Sequence, residues 1–131
     1  MNHVTDAQTM INADPLIRAM TDHLPSSTDP VWRKKAGSML TALICVVRYK
    51  CLQEKCEATE EIVKGYLPLT QMSELCADGK CEGWSEETRQ KLEGYLSTLA
   101  GFRIGQIGRP SEWRSQVLDQ HGYLAEMFLT D

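Results

Sequence analysis

Apolar residues recur along most of this chain at intervals of three and four, the repeat of an amphipathic α-helix. The clearest case follows Asp29 and Pro30, a pair that favours the start of a helix. From there the repeat continues to about Lys55, which predicts a helix about 40 Å long. Its apolar stripe is formed by Trp32, Ala36, Met39, Leu40, Leu43 and Val47. We expect this helix to be the central element of the domain.

Shorter helices are predicted before and directly after this long one. Asp14 and Pro15 repeat the start signal, and the sequence at residues 24–28 breaks the helical pattern. Thr59 is expected to cap a short helix that ends before Pro68. Pro68 is then expected to open the next helix.

The C-terminal part of the chain follows the same scheme. A loop is predicted at residues 78–83, after which Ser85 is expected to cap a helix that Gly101 ends. Pro110 or Ser111 is expected to open the last helix. No segment alternates apolar and polar residues with a period of two, so no sheet is expected.

These elements predict an all-α fold, a compact bundle of about five to seven helices around one long central helix. The boundaries are expected to be a flexible lead-in at residues 1–12 and a single helical domain at residues 13–131. The longest apolar run, residues 39–47, is far shorter than the roughly 20 residues that cross a bilayer. The first ten residues are too polar for a secretory signal. We therefore expect a soluble, cytoplasmic domain.

Charge is distributed unevenly along the chain, whose net charge is −4. Residues 31–55 hold six basic side chains and one acidic, whereas residues 57–93 hold nine acidic and four basic. This balance disfavours a uniformly basic nucleic-acid module. One basic surface for DNA phosphates or for a protein partner is one interpretation, and an ordinary solvated surface is the other. The candidate binding residues are Arg33, Lys34, Lys35, Arg48, Lys50, Arg103 and Arg109.

Four of the five cysteines form two pairs with the same spacing, Cys51 with Cys56 and Cys76 with Cys81. Four thiolates would satisfy tetrahedral zinc, although the spacing is wide for a structural site and Cys45 is left over. Because cytosolic cysteines are usually reduced, we interpret Cys51 and Cys76 as buried apolar residues and the others as surface thiols. A zinc site or a disulfide is the alternative, and no other cofactor is indicated.

Sequence motifs for catalysis are missing. The segment GFRIGQIGR at residues 101–109 has the glycines of a phosphate loop but lacks its Lys-Ser/Thr pair and a preceding strand. His121 has Asp119 close by in sequence, yet no nucleophile can be placed beside it. We expect a hydrogen-bonded structural histidine and a domain that is not an enzyme.

Four segments carry a resemblance to a known family. They are DPVWRKKA at residues 29–36, MLTAL at 39–43, YLSTLAG at 95–101 and LDQHGYL at 118–124. In this order and spacing they resemble the all-α domain of type IV coupling proteins, in the DotL/TraJ group of bacterial type IVB secretion and conjugation systems. The resemblance covers the chain from about residue 25 to its last residue.

The resemblance implies a helical insertion in a hexameric ATPase that is anchored at the inner membrane. Its ATP-binding motifs and its membrane contact would lie in the parent protein, outside this chain. The implied function is non-catalytic recognition of DNA or of a protein substrate on the cytoplasmic side. The implied partners are secretion substrates or relaxosome proteins, DNA in conjugative systems, and the rest of the ATPase.

A second hypothesis does not depend on the resemblance. The chain would then be a stand-alone helical adaptor or regulator that holds a partner's helix in a groove.

Overall fold

The computed structural model describes residues 15–22, residue 24 and residues 29–129. Within these residues the chain forms six α-helices and no β-strand, so the predicted all-α fold is confirmed. The helices are α1 (Pro15–Thr21), α2 (Pro30–Glu54), α3 (Glu60–Gly65), α4 (Leu69–Cys81), α5 (Glu86–Ser97) and α6 (Ser115–Leu129). Two 3-10 turns, Ile104–Gln106 and Pro110–Glu112, lie between α5 and α6.

Several features predicted near the N-terminus lie outside the described residues. They are the lead-in at residues 1–12, the cap at Asp14 and the break at residues 25–28. Among the described helices, none combines the length and the apolar character that a membrane span needs.

The long helix α2 begins and ends where the sequence predicts. The Asp29 carboxylate accepts a hydrogen bond of 2.8 Å from the backbone N–H of Val31, and Pro30 occupies the first helical position. The helix ends at Glu54, and Lys55 follows in the left-handed conformation with φ of 57°. The chain therefore turns sharply at this end of α2.

Two shorter helices also carry the caps that were predicted. Thr59 Oγ1 accepts a hydrogen bond from the N–H of Ile62 at the start of α3. Ser85 Oγ accepts one from the N–H of Thr88 at the start of α5. Each bond satisfies a backbone donor that the first turn of a helix leaves unpaired.

Four of the other helices, α1, α3, α5 and α6, pack against α2. Between residues 36 and 47 the helix is buried on nearly every side. The core around it includes Ile17 and Met20 of α1, Leu92 and Leu96 of α5, and Phe128 of α6. Burial of each such side chain stabilises the fold by about 1.5–3 kcal/mol relative to leaving it exposed. The predicted central helix is therefore confirmed.

The loop predicted at residues 78–83 is wrong for most of its length, because α4 continues to Cys81. The reason lies in the packing of Gly79, which is buried within the helix. A Cβ atom at this position would lie 2.4 Å from Cε3 of the Trp84 ring. Glycine is needed here for close contact with the indole, and the turn comes later, at Gly83 with φ of 78°.

The start predicted for the last helix is also wrong. Pro110 opens only a 3-10 turn, and α6 begins at Ser115. Trp113 lies between the two, in an extended conformation. Its buried ring donates a hydrogen bond of 2.9 Å from Nε1 to the carbonyl oxygen of Gln106. This bond and the packing of Trp113 against Phe102 hold the connector on the domain.

Candidate partner-binding site

A groove with a volume of about 430 Å³ lies between α2, α5 and α6. Its size falls in the range of roughly 300–1,000 Å³ that is usual for binding pockets. Helical spacing places the contributing residues on one face of each helix. The lining residues are Lys34, Lys35, Ser38, Ala42, Lys91, Gly94, Tyr95, Thr98, Leu99, Gln120 and Leu124.

The floor of the groove is apolar and its rim is basic. Ala42, Tyr95, Leu99 and Leu124 form the floor, and all four are buried. The rim carries three exposed lysines, Lys34, Lys35 and Lys91, and no lining residue is acidic. An occupant would have to bring apolar groups for the floor and negative charge for the rim.

The three rim lysines differ in their own contacts. Lys35 Nζ lies 4.8 Å from the centroid of the Trp32 ring, a distance at which cation and ring attract each other. Among the described residues, Lys34 and Lys91 have no ion-pair partner. Within the described part of the chain, a ligand could therefore reach both ammonium groups without displacing an ion pair.

Gly94 forms an open part of the groove wall within α5. It is exposed, and a Cβ atom added there would meet no atom of the described residues within 4 Å. Glycine inside a helix costs about 0.5–1 kcal/mol relative to alanine. No packing contact among the described residues accounts for this cost.

A buried hydrogen-bond network lies beneath the floor and connects three parts of the fold. Tyr95 Oη and His121 Nδ1 are 2.7 Å apart, and His121 Nε2 contacts the carbonyl oxygen of Leu67. Because a carbonyl only accepts, Nε2 donates to it, and Nδ1 then accepts from the Tyr95 hydroxyl. The network joins α5, α6 and the residue before Pro68, and so fixes the position of Tyr95 in the groove.

Burial shifts the titration of both side chains in this network. It lowers the pKa of His121, against an opposing effect of the bond to Leu67, and it raises the pKa of Tyr95. Both groups are therefore neutral near pH 7. His121 is hydrogen-bonded, as expected from the sequence, and burial rather than Asp119 lowers its pKa.

The seven basic residues singled out from the sequence lie in several places. Lys34 and Lys35 line the groove, whereas Lys50, about 24 Å further along α2, contacts Glu54 at 2.9 Å. In the connector, Arg109 lies 3.4 Å from Glu112, and Arg103 lines a separate pocket. Arg33 and Arg48 lie on α2 and each makes a polar or electrostatic contact. The groove includes only two of the seven.

The four cysteines proposed as zinc ligands do not gather at one point. Among the described residues, no three His, Cys, Asp or Glu side chains are arranged to hold a metal ion. Cys51 and Cys76 are buried, and Cys56 and Cys81 are exposed, as expected for reduced thiols, whereas Cys45 is half-buried rather than at the surface.

Most of the groove was not identified from the sequence. Lys91, Gly94, Tyr95 and Gln120 were not among the candidate residues, although all four line it. One signal was available in the sequence, namely a glycine in the interior of a predicted helix with a lysine one turn before it. This signal could be assigned to a site only once the structure showed how α5 packs against α2 and α6.

Comparison of the chain with protein-family models, with curated proteins and with solved structures gives no match in any of the three.

Proposed function

We propose that this chain is a non-catalytic recognition domain that binds an acidic, amphipathic helix of a protein substrate in the α2–α5–α6 groove. The observation that carries the proposal is the combination of an apolar floor with three rim lysines and no acidic lining residue. Apolar contacts would supply most of the affinity, and the lysines would select partners by charge.

A helix suits this groove better than an extended peptide. The walls are themselves helices, and a further helix packs readily into the depression between two others. The lining residues of α2 run from Lys34 to Ala42, a distance of about 12 Å, or two helical turns. An extended peptide gains affinity by pairing with an exposed strand, and the described chain has no strand.

The resemblance to type IV coupling proteins gives this recognition a setting. Eight of the eleven lining residues fall within the four segments that carry the resemblance. In that setting the domain would hold a signal helix of a secretion substrate or relaxosome protein, while the parent ATPase supplies ATP hydrolysis. DNA is the less favoured ligand because only two of the seven candidate basic residues line the groove and two others are paired with glutamates.

Nuclear magnetic resonance with a designed peptide tests the proposal. The peptide would carry leucines at helical spacing and glutamates beside them, and its matched control would carry lysines in place of the glutamates. We expect the acidic peptide to shift the backbone amides of Ala42, Gly94 and Leu124, and the basic peptide to leave them unchanged. Equal binding of both peptides, or shifts confined to other surfaces, would refute the proposal.

A titration with duplex DNA at low and high salt provides the second arm. Salt-sensitive shifts of the amides around Lys34 and Lys91, with none from the acidic peptide, would assign the lysines to phosphate contacts instead.

A further inference from the structure

The C-terminal end of α2 brings two cysteines together. Lys55 is in the left-handed conformation, and the N–H of Cys56 donates a hydrogen bond of 2.9 Å to the carbonyl oxygen of Cys51. This is the Schellman motif, in which the first and last residues of the turn commonly touch through their side chains. Those two residues are usually apolar, and here both are thiols.

The two cysteines lie at the same helix end, joined by this backbone bond, but differ in exposure. Cys51 belongs to the core, and Cys56 is exposed. Burial, followed by the hydrogen bond with Cys56, raises the pKa of Cys51 to about 11. Cys51 is therefore protonated near pH 7, and an oxidant in solution meets Cys56 first.

Cys76 and Cys81 have the same spacing and a different geometry. Both lie within α4, which continues as an unbroken helix from one to the other. Five residues along a helix rotate a side chain by about 140° from its starting direction, so these two thiols point to different sides. One is buried and the other exposed. The two pairs have the same spacing, but α2 ends between Cys51 and Cys56, whereas α4 continues from Cys76 to Cys81.

We propose that Cys51 and Cys56 are a redox-active pair that forms a reversible disulfide, with hydrogen peroxide as the oxidant. The Cys56 sulfur attacks the peroxide, the O–O bond breaks, and a sulfenic acid and one water are formed. The Cys51 sulfur then attacks the Cys56 sulfur. The S–O bond breaks as the S–S bond forms, and the Cys51 proton leaves with the oxygen as a second water. The two cysteines lose two electrons and the peroxide gains them. A dithiol reverses the reaction by exchange.

The site does not depend on the proposed groove, because it lies at the opposite end of α2 from Lys34. A disulfide between Cys51 and Cys56 would close a covalent ring that includes Lys55, and would so fix the turn between α2 and α3. The proposed reactants at this site are small oxidants and thiols, whereas the proposed occupant of the groove is a protein helix.

Peptide mapping of the whole protein tests the pair directly. The protein is treated with hydrogen peroxide, alkylated, and digested with trypsin, which cuts after Lys55 and after Lys80 and so separates the members of each pair. We expect the peptide that begins at Cys51 to be linked to the one that begins at Cys56, with reversal by dithiothreitol. Linkage of Cys76 to Cys81 to the same extent, or no linked peptide, would overturn the proposal.

Two matched variants with three substitutions each sharpen the result. Cys45→Ser with Cys76→Ala and Cys81→Ser keeps the proposed pair. Cys45→Ser with Cys51→Ala and Cys56→Ser keeps the helical pair. After treatment with hydrogen peroxide, we expect only the first variant to form an intramolecular disulfide. Mass spectrometry would then show a monomer lighter by two hydrogen atoms. Sulfinic acid or a disulfide-linked dimer in its place would contradict the inference. The map of the unsubstituted protein decides the question if either variant fails to fold.

Discussion

At the N-terminal end of α2, Lys34 and Lys35 line a groove without acidic residues, whereas at its C-terminal end Lys50 Nζ lies 2.9 Å from the Glu54 carboxylate. The hydrogen bond to Glu54 raises the pKa of Lys50 against the opposing effect of burial. The residue one turn further along explains the difference. It is Ser38 for Lys34 and Glu54 for Lys50, and only the second can form an ion pair across a helical turn.

Basic residues on one helix therefore have different roles that depend on their neighbours. A lysine that pairs with a glutamate one turn away, as Lys50 does with Glu54, has its charge compensated within the domain. A lysine that makes no ion pair among the described residues, such as Lys34 at the rim of the groove, keeps its charge for a ligand. The cluster at residues 31–55 looks uniform in the sequence, but it contains both kinds.

The largest effect is expected beneath the floor of the groove, where His121→Ala removes the centre of the buried network. The substitution leaves the Tyr95 hydroxyl and the Leu67 carbonyl without a partner and creates a cavity. We expect the free energy of unfolding to fall by about 2–4 kcal/mol, measured by urea denaturation. Tyr95→Phe, which keeps the bond to Leu67, should cost only about 1 kcal/mol. A loss below about 0.5 kcal/mol for His121→Ala would show that the network does not hold the floor.

The same network makes the free energy of unfolding depend on pH. This dependence checks that the loss of stability in His121→Ala comes from the imidazole. The folded-state pKa of His121 lies below its usual value of 6.5, so the folded protein binds this proton less readily than the unfolded chain. Its contribution is therefore complete above pH 6.5 and is lost as the pH falls from there toward the folded-state pKa. His121→Ala should flatten the curve in that interval.

The sequence predicts the helices well because their signals are local. Asp29, Thr59 and Ser85 satisfy backbone donors within a few residues, and the apolar repeat of α2 needs no partner to be recognised. The errors occur where distant contacts override local preference. Gly79 is helical because the Trp84 ring lies against it, and Trp113 lies outside α6 and donates a hydrogen bond to Gln106.

The groove was beyond sequence reasoning for the same reason. Lys34 and Lys91 are more than fifty residues apart, and only the packing of α5 against α2 makes them neighbours in one site. The cysteine pairs show that prediction from the sequence also has a limit for residues close together in the chain. Whether two thiols with equal spacing meet depends on a left-handed residue at Lys55, a conformation that lysine adopts rarely.

A charge-reversal experiment compares the two kinds of lysine in binding the acidic peptide. Lys34→Glu with Lys91→Glu places negative charge on the rim, and Lys50→Glu with Lys64→Glu changes the net charge equally at paired positions. We expect the first double variant to weaken binding about tenfold in fluorescence anisotropy, and the second to change it little. An equal loss in both would mean that only long-range attraction operates and that the groove is not the site.

The smallest effect is expected at two helical glycines that have space for a side chain, Gly94 in the groove wall and Gly122 in α6, outside the lining. Neither would bring a Cβ atom within 4 Å of another atom among the described residues. Alanine at either position should therefore stabilise the fold by about 0.5–1 kcal/mol, because it lowers the conformational entropy of the unfolded chain. Only Gly94→Ala should weaken peptide binding, since its methyl group occupies the groove. If Gly94→Ala stabilises the domain and leaves the peptide affinity equal to that of Gly122→Ala, the helix of the partner does not lie against α5.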